Sequence, residues 1–186
     1  SDPEPGLGGR RVSHARGKVL GGSSSINGMI FQRGNPADYE RWATTPGCKE
    51  WSYSHCLPYF QRMETCLNGG DRYRGDSGPL MLERGPASTP LFRAFFDAVQ
   101  EAGYELTEDV NGYRQEGFAS FDRNIHQGRR NSASVAYLPP VATRPNLDVI
   151  TRAHVTKIIF DGNRAVGVEL KKDRRNKTIR AGEVIC

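Results

Sequence analysis

The chain has 186 residues, room for one ordinary domain or for parts of two interleaved ones. Its 37% hydrophobic and 25% charged content excludes a disordered chain, and no apolar run reaches the roughly 18 residues that a bilayer-spanning helix needs. The 26 Lys and Arg against 21 Asp and Glu leave a mild +5. The basic runs (Arg129-Arg130, and residues 171–175 with Lys177 and Arg180) lack interleaved stacking aromatics, so no nucleic-acid partner is expected.

Residues 1–12, with Pro3, Pro5, Gly6, Gly8 and Gly9, read as extended loop without a signal-peptide pattern. A cytoplasmic location is expected, with membrane association of a longer parent left open. Arg16 and Lys18 then lead into Gly21-Gly22-Ser23-Ser24-Ser25. Two glycines permit a sharp turn and a close approach to another group. The serines offer hydroxyls and free N–H groups at the start of a helix expected to run through Ile26 and Met29. Such a start favours anions through its unpaired donors and its dipole, and Arg16 and Lys18 add positive potential. Local chemistry leaves two readings: contact with a phosphate or cofactor, or a Gly-Ser loop that caps a buried helix.

Asn35-Pro36 predicts a helix start, with Asn35 as cap, Pro36 at the first helical position and Asp38 near the positive end; a stop is expected near Pro46-Gly47. A second helix is predicted over residues 54–67, with Leu57, Phe60, Met63 and Leu67 on one face and Pro58 in the first turn. A polar loop follows over residues 69–79, then a short strand over 79–83. Residues 90–102 predict the clearest helix, capped by Thr89, terminated by Gly103, and packing Phe92, Phe95, Val99 and Ala102 into the core. From Asn146 onward the chain reads as strands over 147–150, 155–160, 165–170, 177–180 and 183–186. Asp161-Gly162-Asn163 makes one hairpin turn, and the basic run at 171–175 a solvated hairpin loop. The expected class is α/β with mixed α+β character, closing in a β-meander.

Cys48, Cys56, Cys66 and Cys186 fit no closed metal framework, and Cys56 and Cys66 fall in one predicted helix. Ordinary thiols, no metal site and a reducing compartment are expected.

The order of residues says more than the local chemistry. Arg16-x-Lys18-x-Leu20-Gly21-Gly22-Ser23-Ser24-x-x-Asn27, followed by Arg33-Gly34 and Asp38, resembles the first signature of the glucose–methanol–choline (GMC) flavoenzymes. Trp51 with Leu57-Pro58-Tyr59-Phe60 resembles that family's W…LPYF helix, and Asn111-Gly112-Tyr113-Arg114-Gln115-Glu116-Gly117-Phe118 its NGYxQEGF. Gly128-Arg129-Arg130-x-Ser132-x-x-x-Ala136-Tyr137-Leu138 is similar to its GxRxSxxxAYL, and Arg144-Pro145-Asn146-Leu147 to its RPNL.

The resemblance implies part of a GMC-type FAD-binding domain plus a piece of the substrate domain. Residues 1–84 and 127–186 would belong to the first and residues 85–126 to the second. It implies hydride transfer from choline or a similar primary alcohol to flavin, giving the aldehyde; another alcohol, or a non-redox flavin-binding lyase of the same fold, is the alternative. The cofactor-binding residues it implies are Arg16, Lys18, Gly21, Gly22, Ser23, Ser24, Asn27, Gly28, Met29 and Ile30, with the backbone of Val155 toward the adenine. Members that attach FAD covalently use a histidine where this chain has Ile26, so non-covalent FAD is expected. The family's opening glycine fingerprint and its catalytic histidine have no counterpart here, and none of His14, His55, His126 or His154 matches a motif. No catalytic residue is therefore assigned to this segment. The expected partners are a small-molecule alcohol, an electron acceptor not specified by the sequence, and a second copy in a homo-oligomer. The isolated piece is expected to self-associate through open strand edges, to bind FAD weakly and to lack dehydrogenase activity.

Overall fold

Asn35 begins the first regular helix as its sequence predicts: its side-chain oxygen accepts from the Ala37 N–H at 2.9 Å, and Pro36 takes the first helical position. The computed structural model describes residues 2–185 and divides the chain into two units, residues 1–143 and 144–186.

In the first unit the elements run β1 (Ile30–Phe31), α1 (Pro36–Ala43), α2 (Tyr53–Met63), β2 (Glu64–Cys66), β3 (Leu80–Arg84), α3 (Pro90–Glu101), β4 (Asp122–Arg123), β5 (Ile125–His126), β6 (Arg129–Arg130) and α4 (Ala133–Tyr137). One mixed sheet has the order β1-β4-β3-β2, parallel between β2 and β3 and antiparallel elsewhere. β5 and β6 form a separate hairpin. Helices and sheets are therefore mixed, as expected. α1 packs on α2 through Tyr39, whose ring meets Tyr53 and Phe60 at centroid distances of 5.9 and 5.8 Å. The Glu40 carboxylate accepts from the Tyr53 N–H at 3.0 Å and fixes the start of α2.

Several expectations are corrected. No helix runs through Ile26 to Met29; the stretch is a 3-10 turn, Gly22–Ser25, and Met29 is left-handed at φ +66°. α2 stops at Met63 rather than continuing to Leu67, so Cys56 is helical while Cys66 lies in β2, and Pro58 stands inside the helix beyond its first turn. The stop is a tertiary effect. Glu64 turns its carboxylate inward onto two arginines, while β2 pairs with β3 in parallel register. α3 has the expected limits to within a residue, but Phe92 and Phe95 are about half exposed and only Val99 is buried. The apolar stripe is present; the core that would cover it is not among the described residues.

The centre of this unit is polar. Glu64, Asn111 and Asp122 have no exposed surface, and Arg33 and Arg74 are buried beside them. The Glu64 carboxylate accepts from Arg33 at 2.9 Å and from Arg74 at 2.7 Å. Arg74 reaches on to Asp122 at 2.7 Å and Asp109 at 2.6 Å, and Arg84 closes the set on Asp122 at 2.8 Å. Asn111 accepts the Arg33 N–H at 2.7 Å and donates to Phe31 O and to the Asp122 carboxylate, both at 3.3 Å. Burial would raise the Asp122 carboxyl, but the Arg84 hydrogen bond and the Arg74 charge outweigh it and hold it below the ordinary aspartate value.

In the second unit, β7 (His154–Asp161), β8 (Arg164–Lys172) and β9 (Arg175–Arg180) form an antiparallel meander in that order. Asp173 and Arg174 are both left-handed, at φ +49° and +62°, which suits a two-residue hairpin turn. The basic run is thus a solvated hairpin, as expected. Residues 147–150 and 183–185 form no strand, and Cys186 lies outside the described residues. Ladder pairing, not a short apolar burst, decides strand identity here. Among the described residues no helix is long and apolar enough to cross a membrane.

Glu64→Gln should destabilise the intact protein by about 3–5 kcal/mol, because two buried guanidinium groups lose their shared charge; urea denaturation at neutral pH reads this. The folded Asp122 value is depressed, so its contribution is complete above the unfolded value of 3.8 and is lost as pH falls through the folded one. Asp122→Asn should therefore lower the melting temperature at pH 7 and flatten its decline below about pH 4.

Candidate functional site

Two consecutive left-handed glycines build the turn the sequence singles out, with Gly21 at φ +85° and Gly22 at φ +56°. They are glycine for different reasons. A Cβ on Gly21 would stand 2.6 Å from Ser25 Oγ and 2.9 Å from Ser134 Oγ, so this position is closed by packing. A Cβ on Gly22 would meet no atom within 4 Å, and neither would one on Gly28. The Gly22 side of the turn is open, as a cradle for a close-lying ligand must be.

The serine hydroxyls hold the turn itself. Ser23 Oγ accepts from the Gly17 N–H at 3.2 Å. Ser24 Oγ donates to Gly21 O at 2.6 Å and accepts from the Ala133 N–H at 2.9 Å, joining the turn to the start of α4. Ser25 Oγ donates to Leu20 O at 2.8 Å. Among the described residues, Ser23 alone of the three gives its proton to no protein acceptor, and it is exposed. Arg16 and Lys18 are exposed upstream, the Arg16 guanidinium bonding only its neighbour's carbonyl, Ala15 O, at 3.3 Å.

Asn27 to Ile30 carry the chain from the turn into β1. Asn27 Oδ1 accepts from the Met29 N–H at 3.1 Å, and the Met29 carbonyl accepts from the Asn124 N–H at 3.0 Å. Arg130 in β6 donates from one nitrogen to Asn27 Oδ1 at 2.7 Å and Ser24 O at 3.1 Å. Val19, Leu20, Ile26 and Ile30 are each more than half exposed around this turn. A small-residue turn with an open side, a free hydroxyl, flanking cations and an apolar rim fits a ligand with a charged linker and a large flat ring. Val155 belongs to the second unit, where in β7 it pairs with Leu170 of β8 and is half exposed.

The structure brings together motifs that are distant in sequence. Arg33, of the first motif, is gripped by Asn111 and by Gln115, whose amide donates to Arg33 O at 3.3 Å. Arg130 and Ala133, of the fourth motif, meet the Gly21 turn. Sequence reading missed Glu64, Arg74, Arg84 and Asp122, which belong to no quoted motif. Their pairings join positions well apart in the chain, 10 residues for Glu64 with Arg74 and 38 for Arg84 with Asp122. It also counted Arg130 only as part of a basic run and a motif; its position in that motif was the available signal.

The histidines stand apart from this geometry in character. His55 Nδ1 lies 2.6 Å from Ser52 Oγ and its Nε2 lies 3.6 Å from Glu50, at the mouth of an aromatic groove of about 570 Å³ lined by Tyr39, Trp42, Trp51, Tyr59 and Phe60. Among the described residues His126 has a buried Nδ1 without a partner, and His14 and His154 are exposed. Cys48, Cys56 and Cys66 are free thiols, and burial pushes Cys56 and Cys66 up.

The family model described as GMC oxidoreductase matches residues 6–186. An oxygen-dependent choline dehydrogenase of Staphylococcus xylosus is 62% identical over 185 residues, which are 98% of this chain and 33% of that protein. The protein of the same name from Staphylococcus aureus strain Newman is 59% identical over 187 residues, covering 100% and 33%. The chain thus spans about a third of the curated relatives it matches. Among solved structures, pyridoxine 4-oxidase from Mesorbium loti superposes with TM-score 0.86 at 31% identity, over 97% of this chain and 36% of that one. An FAD-dependent oxidoreductase from Chaetomium thermophilum gives 0.84 at 28% identity, over 98% and 34%.

The two glycines should respond differently to one added methyl group. Gly22→Ala meets only the left-handed backbone and should cost about 1–2 kcal/mol. Gly21→Ala adds collisions with Ser25 and Ser134 and should cost about 1–3 kcal/mol more. Paired thermal melts of the two variants check this order.

Proposed function

The chain belongs to the GMC oxidoreductase family, and from that premise we propose that it is the part of an FAD-dependent oxidoreductase that beds the flavin. The substrate we assign is choline or a similar primary alcohol, oxidised to the aldehyde. The observation that carries the reading is the open Gly21-Gly22 turn in a chain 62% identical to an oxygen-dependent choline dehydrogenase. The likeness to pyridoxine 4-oxidase supports the second reading, another alcohol with the same chemistry.

When bound, the flavin supplies the hydride acceptor. The roles of this chain are binding and orientation. Gly22 admits the cofactor to the backbone, the Ser23 hydroxyl donates to it, and Arg16 and Lys18 place positive charge beside its diphosphate. Ser24 supports the bed from within the turn, its own proton being committed to Gly21 O. Asn27, Gly28, Met29 and Ile30 border the ring; the Val155 backbone is assigned to the adenine from the family resemblance alone. We assign no proton-abstracting base to this chain. The domain reading keeps residues 1–84 and 127–186 with FAD and residues 85–126 with the substrate. Homo-oligomerisation and a cytoplasmic setting belong to the same proposal.

The flavin is held without a covalent bond, because Ile26 has no nucleophile. Acid precipitation of the intact holoenzyme should leave the yellow colour in the supernatant, and anaerobic choline should bleach it beforehand. Colour retained in the pellet contradicts non-covalent binding; bleaching by other primary alcohols but not by choline selects the second reading.

Gly22→Val should abolish flavin loading, since the side chain enters the open space. Gly162→Val is the matched control, because its φ of +57° is left-handed like that of Gly22 and a Cβ there also meets nothing within 4 Å. Equal flavin-to-protein absorbance ratios in the Gly22 and Gly162 variants would move the cofactor bed elsewhere.

A further inference from the structure

Met29 is a non-glycine residue held at φ +66°, and both its backbone groups are tied down. Its N–H is bound by Asn27 Oδ1 and its carbonyl by the Asn124 N–H. Strain of this kind persists only where surrounding contacts over-determine it. One of those contacts comes from the flank of the β5–β6 hairpin, and the other, Asn27, is itself held from that hairpin by Arg130. Asn124 and Asn131 are buried there and bonded to each other twice, Asn131 N–H to Asn124 O at 2.8 Å and Asn124 Nδ2 to Asn131 O at 2.9 Å. Asn131 Oδ1 accepts from the Met81 N–H at 3.1 Å, which anchors the pair to β3.

The Asn124 arm is therefore rigid, while the Asn27 side chain is exposed and, beyond Met29, has one partner among the described residues. That partner is Arg130, which holds Asn27 Oδ1 and Ser24 O together from one guanidinium nitrogen. The cation thus joins the 3-10 turn at one end of the segment to the strained residue at the other. Resting on the flavin reading above, we propose that Arg130 is a positioning residue. It acts through Asn27 to keep Met29 left-handed, and so keeps the Asn27–Ile30 backbone in the shape that meets the flavin ring. Because one nitrogen makes both bonds, an ammonium at the same point can replace it, whereas an uncharged chain of similar length cannot.

The test uses the intact flavoprotein. FAD affinity is measured by quenching of flavin fluorescence, alongside the visible flavin spectrum and circular dichroism as the control for folding. Arg130→Met should weaken FAD binding about tenfold, as loss of a charge-assisted hydrogen bond would, and shift the flavin absorption bands. Arg130→Lys should recover most of that affinity. Asn27→Ala should weaken binding in the same direction, and the double variant should be no weaker than Arg130→Met alone, since the arginine acts through Asn27. Should Arg130→Met fail to fold, Asn27→Ala against Asn27→Asp carries the test, the aspartate keeping both the Met29 and Arg130 bonds. Wild-type affinity and spectrum in Asn27→Ala, or multiplicative losses in the double variant, would overturn the proposal. A wild-type protein that holds no FAD would instead overturn the flavoenzyme reading itself.

Discussion

Glu64 has no exposed surface, yet it carries a charge shared between Arg33 and Arg74, and the first unit is arranged around that fact. A buried carboxylate left alone would be strongly unfavourable, so the segments bearing its partners must arrive together. Arg33 follows β1, Arg74 sits in the loop between β2 and β3, and Asp122 in β4 satisfies Arg74 from the other side. Asn111 fills the remaining hydrogen-bonding positions between Arg33, Phe31 and Asp122. A hydrophobic core of equal volume could match such a cluster in stability. In this arrangement Glu64, Arg33, Arg74, Arg84 and Asp122 each have an opposite charge within 2.9 Å. Among the described residues the Arg33 Nε is buried without an acceptor, and that guanidinium lies 5.2 Å from the Phe60 ring centroid.

The same constraint reaches the proposed flavin bed. Asn111 binds Phe31 O at the end of β1, one residue beyond Ile30, so the polar centre fixes where the turn's exit strand must run. The entry side is fixed independently, by Ser24 on the start of α4 and by the packing of Gly21 against Ser134. A segment held at both ends in this way keeps strained geometry between them.

Helix α1, the α3 limits and the two long hairpin strands were legible in the sequence because their causes are local. Asn35 caps its own helix, Pro36 suits only a first turn, and Gly103 at φ +82° ends α3 whatever surrounds it. The glycine turn of the candidate site stood out in the sequence for a different reason: Gly21-Gly22-Ser23-Ser24 is contiguous, and its order with Asn27 and Arg33 resembles one family. Contiguity also misled. A glycine-serine run that looks like a helix start is a short 3-10 turn, since its hydroxyls bind the carbonyls of Leu20 and Gly21 instead of leaving a helix to continue.

The sequence by itself determined the family, the exposed basic hairpin and the starts of α1, α2 and α3, all properties carried by neighbours along the chain. Only the tertiary structure decided that α2 stops at Met63, that Asn111 and Arg33 are partners 78 residues apart, and that Arg130 holds Asn27. These depend on which charges share a dry interior. Periodicity and propensity describe a residue's neighbours along the backbone; the free energy of burying Glu64 depends on residues that only folding brings to it.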